Sequence, residues 1–101
     1  MDTKVITLGG KRFIVKKAPA TVAYEVALRY RKAVKNTDVD EMKKCLYTLC
    51  KYVDVDLGDG RLVALDNPDF IDQHITCAND LITLQEATVE HNFGFFEKDA
   101  V

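Results

Sequence analysis

A chain of 101 residues, 48 % apolar and 30 % charged, is one domain's worth of ordinary globular composition, which excludes the disordered and low-complexity classes. No apolar run approaches the roughly 20 residues needed to span a bilayer, and three cysteines do not make an even-numbered secreted framework, so a reducing cytosolic setting is expected. The net charge of −2 is unevenly laid out, with 12 Lys/Arg against 5 Asp/Glu in residues 1–53 and 2 against 11 in residues 54–101. Such halves either attract each other within one fold or attract head to tail between copies.

Met1-Asp2-Thr3-Lys4 leads directly into a strand pattern, so no secretory leader is expected. Lys4 to Leu8 alternates, Arg12 to Val15 does so more loosely, and Gly9-Gly10 between them supplies the positive φ angles of a hairpin turn. Pro19 opens a helix to about Asn36. Val22, Ala23, Val26, Ala27, Tyr30, Ala33 and Val34 share one arc of it, and Glu25, Arg29, Arg31, Lys32 and Lys35 lie opposite. Tyr24 and Leu28, four apart, fall on that polar side. Asp38 is an N-cap for a second helix, with Glu41 as its capping-box partner, and Asn36-Thr37 makes an antiparallel helix pair. Met42, Cys45, Leu46, Leu49 and Cys50 share the apolar face of this helix.

Residues 53–65 read as a second hairpin turning at Asp59-Gly60. Asn67 then caps a helix with Pro68 at its first position. Helical periodicity runs from Phe70 to about Phe93, where Gly94 is the expected stop. Its broad apolar arc includes Ile71, Ile75, Leu81, Ile82, Leu84 and Val89. The whole chain, 1–101, reads as a single α+β domain: small antiparallel hairpins or one sheet packed with three helices, the last one long. Residues 95–101 read as a flexible tail.

The chemistry-bearing candidates are weak. Asp54-Val55-Asp56-Leu57-Gly58-Asp59-Gly60 misplaces the glycine of a calcium loop and has Leu65 where that loop needs glutamate. Cys45 and Cys50 are five apart on an apolar face, which suits buried thiols better than zinc ligands. Serine is absent, and no phosphate loop or paired-carboxylate motif occurs. No catalytic residue, metal or cofactor is therefore expected. His74, Gln85 and Asn92 are polar positions near the apolar arc of the last helix; they are either satisfied core residues or register-setting contacts in self-association. The apolar surface left for a partner is Tyr24 with Leu28, flanked by Arg31, Lys32 and Lys35, together with Phe93, Phe95 and Phe96. The three phenylalanines alternatively close the core.

Val5-Ile6-Thr7-Leu8-Gly9-Gly10-Lys11-Arg12-Phe13, the Asp-Gly hairpin, Asn67-Pro68 with a long helix behind it, and Val89-Glu90-His91-Asn92-Phe93 form a sequence layout. That layout resembles the small tail assembly chaperones of long-tailed bacteriophages over most of the chain. The resemblance implies a non-catalytic protein of the host cytoplasm that binds the helix-rich tape-measure protein and keeps it soluble until tail tube subunits polymerise around it. It also implies self-association, and contact with the tube protein in copies that a translational frameshift extends, so that this sequence reads as the short form or as a relative that does not frameshift. The acidic second half argues against a nucleic-acid partner, and no membrane partner is expected. Two other readings remain open: a nucleic-acid-binding regulator using the basic first half, with steeply salt-dependent binding, and a structural piece of the tail or head–tail joint.

Overall fold

A computed structural model describes residues 3–100, with side chains for residues 3–93. The two-residue Gly9-Gly10 loop has φ of 57° and 80°, the positive pair that a tight hairpin turn needs. It joins β1 (Thr3–Leu8) to β2 (Lys11–Lys16), with Leu8 opposite Lys11 and Thr3 opposite Lys16. Helices α1 (Ala20–Lys35) and α2 (Val39–Cys50) follow. The chain then returns as β3 (Val53–Asp56) and β4 (Leu62–Ala64). The result is one antiparallel sheet in the order β1-β2-β3-β4, with the helix pair inserted between its two central strands.

The connection between α1 and α2 is economical. Asp38 N–H donates to the Ala33 carbonyl and Thr37 N–H to the Val34 carbonyl, closing the end of α1 with a Schellman motif. The same Asp38 then caps α2, its Oδ1 accepting from Glu41 N–H at 3.1 Å. Only half of the expected capping box forms, because the Glu41 carboxylate turns to Arg29 instead.

The periodic stretch that began at Phe70 is two helices, not one: α3 (Pro68–His74) and α4 (Ala78–Ala100). Asn67 caps α3 as expected, accepting from Phe70 N–H. The break falls at Ile75, which is extended (φ −125°, ψ 112°). Ile75 and Thr76 are β-branched and pack poorly against a preceding helical turn. Extending Ile75 lets both Ile71 and Ile75 bury in the sheet-side core. Among the described residues the fold thus has four helices, with α4 the longest; its backbone leaves helical geometry at Phe93 (φ −149°, ψ 40°), next to the stop expected at Gly94, and a further helical segment follows this kink to Ala100. The flexible tail expected over residues 95–101 falls outside the described side chains.

Strand alternation sends Phe13, Val15, Val53 and Val55 to the helix side of the sheet, where all four are fully buried. They form one cluster with Leu46 and Cys50 of α2, Ile71 and Ile75 from α3 and its end, and Leu84 and Ala87 of α4. A second cluster lies among the helices: Val26 and Ala27 of α1, Cys45 and Leu49 of α2, Val89 and Phe93 of α4. On the opposite sheet face Arg12 pairs with Asp56 at 3.6 Å and Lys16 with Asp54 at 3.0 Å, so the basic β2 meets the acidic β3 across the ladder. Part of the charge asymmetry is consumed there.

Candidate protein-binding site

Helix α1 contacts α2 and α4 on one side and water on the other. Val26, Ala27 and Ala33 are its buried residues. Arg29 faces α2, donating from Nε and Nη2 to both Glu41 oxygens at 2.7 and 3.1 Å. This bidentate fork fixes the two helices side by side. The hydrogen bonds and charge of Arg29 hold the Glu41 carboxyl below its ordinary range. A hollow of about 260 Å³ opens there, lined by Arg29, Lys32, Ala33, Asn36, Asp38 and Glu41. Arg29, Glu41 and Asp38 along its wall already satisfy one another or cap α2.

The outward side of α1 carries a stripe at i, i+4, i+7 and i+11: Tyr24, Leu28, Arg31 and Lys35, with Lys32 beside it. Tyr24 is 69 % exposed and Leu28 43 %, although both are large and apolar. Among the described residues no other element covers them; α2 and α4 pack on the opposite, buried arc of α1. Tyr24, Leu28, Arg31, Lys32 and Lys35 therefore do share one accessible surface.

The remaining candidates are distributed differently. Phe93 is only 9 % exposed and meets the Tyr30 ring at a tilt of 54°, ring centroids 6.3 Å apart, so it belongs to the core and not to a partner surface. Phe95 and Phe96 lie outside the described side chains. His74, Gln85 and Asn92 do not form a common interface. His74 sits on α3, its Nδ1 accepting from Lys11 Nζ at 3.1 Å, and burial beside that ammonium pushes its pKa down. Gln85 donates to the Tyr30 hydroxyl. Asn92 accepts from the buried Ala18 N–H at 2.8 Å and donates to the Thr88 carbonyl, tying α4 to the start of α1. Their polarity is spent inside the molecule, which helical spacing alone does not reveal.

Ile82 was placed on the buried arc by its spacing, yet it is 51 % exposed. Splitting the helix at Ile75 frees α4 to rotate, and Leu84, Ala87 and Val89 take the inward positions. Among the described residues no group of three or more His, Cys, Asp or Glu is placed to hold a metal, and no helix is long and apolar enough to cross a membrane. In comparison with known proteins, the chain matches no family model, no curated protein and no solved structure.

Proposed function

We propose that the chain is a non-catalytic assembly chaperone of a long-tailed bacteriophage. In this reading it works in the host cytoplasm and holds the tape-measure protein soluble before the tail tube forms around it. The observation that carries the proposal is the exposed Tyr24–Leu28 pair on α1, bordered by Arg31, Lys32 and Lys35. A holdase for a helical client needs apolar anchors at helical spacing inside a charged rim. Aromatic anchors with a cationic border suit an amphipathic helix that carries carboxylates.

Co-expression tests the proposal directly. The soluble fraction of the tape-measure protein should rise with the wild-type chain. It should fall back with Tyr24→Ala/Leu28→Ala, while circular dichroism of that variant stays unchanged. Undiminished solubilisation by the folded double variant would remove the α1 surface from the mechanism.

The nucleic-acid reading has less support, because Arg12 and Lys16 are engaged by Asp56 and Asp54 and cannot both serve phosphates. A structural tail component would be found in finished particles by mass spectrometry, whereas an assembly chaperone would be missing from them.

A further inference from the structure

The acidic counterpart of the α1 stripe is present on the chain's own surface. Along the outward side of α4, Ile82, Glu86 and Glu90 recur at i, i+4 and i+8, and all three are exposed. Among the described residues neither Glu86 nor Glu90 takes part in an ion pair, and the same holds for Lys32 and Lys35. Within one copy α1 and α4 run antiparallel, since Asn92 meets Ala18 at the start of α1 and Gln85 meets Tyr30 further along. The two stripes therefore lie on separate outward faces of neighbouring helices, one cationic and one anionic.

We propose that the α1 stripe of one copy docks on the α4 stripe of a second copy. The register supports this occupant. In a parallel alignment with Ile82 opposite Leu28, Glu86 falls opposite Lys32 and Glu90 opposite Lys35, within about 1.5 Å along the axis, one residue's rise. Ile82 then covers the Leu28–Tyr24 patch, and Arg31 flanks Glu86. The antiparallel alignment with Ile82 opposite Leu28 sets Glu86 against Tyr24 and Glu90 against Ala20, and places no carboxylate of the second copy's stripe opposite Lys32 or Lys35. The surfaces are different on the two sides of the contact, so it repeats either as a closed ring or as an open chain. A second copy also covers the surface assigned above to the client, so self-association keeps Tyr24 and Leu28 out of water until a client competes for them. The copy–copy contact does not depend on the identity of that client.

The contact is small, so the association should depend on concentration and on salt. Sedimentation velocity over a concentration series is the test. The wild-type mass should rise with concentration at low salt and fall at high salt. Lys32→Glu/Lys35→Glu and Glu86→Lys/Glu90→Lys should each weaken association at least about tenfold, with circular dichroism unchanged. Mixing the two reversed variants should restore it, because each then offers the stripe that the other lacks. A wild-type monomer at every concentration in low salt overturns the proposal. So does a mixture of folded variants that fails to recover mass. Glu86→Lys/Glu90→Lys leaves the α1 stripe intact and should still solubilise the client, so loss of self-association and loss of the chaperone reading are separable.

Discussion

Thr37 holds a φ of 54°, a left-handed backbone position at which a β-branched side chain is crowded. It is held there because its N–H and that of Asp38 close the end of α1 while Asp38 simultaneously opens α2. Glycine at position 37 would keep both hydrogen bonds and remove the crowding. Thr37→Gly should therefore raise stability by about 1 kcal/mol, read as a higher denaturation midpoint with an unchanged slope. A lower midpoint would mean that the threonine side chain contributes something its backbone geometry conceals. The cysteines separate just as clearly. Cys45 and Cys50 are fully buried, and burial raises both thiols, Cys50 up to about 12, while Cys77 is exposed. A thiol reagent at neutral pH should modify a single cysteine, Cys77, in the native chain and all three after unfolding, with peptide mapping to identify the site.

Between elements, two ties set the helical layer. Arg29 joins α1 to α2 through Glu41, and Asn92 joins α4 to the start of α1. Glu41 has a depressed pKa when folded, so its contribution is complete above the ordinary glutamate pKa and is lost as pH falls through the lower, folded value. Arg29→Lys loses the fork. It should lower the melting temperature at neutral pH, and the gap to wild type should narrow in acid as Glu41 protonates. A gap that does not change with pH would assign the effect to packing of the arginine stem. Asn92→Ala leaves the buried Ala18 N–H without an acceptor and should cost about 1–3 kcal/mol, whereas Asn92→Asp, which keeps an acceptor, should cost less.

These ties also show what the sequence can disclose. Turns and caps are local, so Gly9-Gly10, Asp38 and Asn67 could be placed from their neighbours alone. The Tyr24–Leu28 stripe was legible because helical period assigns a side even where no fold is known. The break at Ile75 was not legible, since Phe70, Ile71 and Ile75 fit a continuous helix; only the competing demand of the sheet core bends the chain there. Arg29 reads as one more solvated cation until α2 supplies Glu41. For Gln85, Asn92 and Phe93 a place in the core was one of two readings open from the sequence, and the partners that decide it were hidden because they lie 55 or more residues away or across a ring contact with α1.

At the scale of the molecule, two clusters share the same two helices. Helix α2 sends Leu46 and Cys50 toward the sheet and Cys45 and Leu49 toward α1; α4 sends Leu84 and Ala87 one way and Val89 and Phe93 the other. Neither cluster can be emptied while the other stays packed, because melting α2 or α4 removes residues from both. Unfolding should therefore be a single transition, with far-ultraviolet dichroism and tyrosine fluorescence giving coincident denaturation curves. Leu84→Ala, in the sheet-side cluster, and Phe93→Ala, among the helices, should each cost about 2–5 kcal/mol and shift both curves together. Separate midpoints for the two probes, or a Phe93→Ala variant that loses the tyrosine signal while strand structure persists, would show two independently stable halves. The basic α1 surface would then sit on a unit that can open by itself, and Tyr24 and Leu28 could leave the sheet without unfolding it. Coincident curves would instead make α1 a rigid platform, set at a fixed angle to α4 by Asn92 and Tyr30, as a pre-formed surface for a helical partner requires.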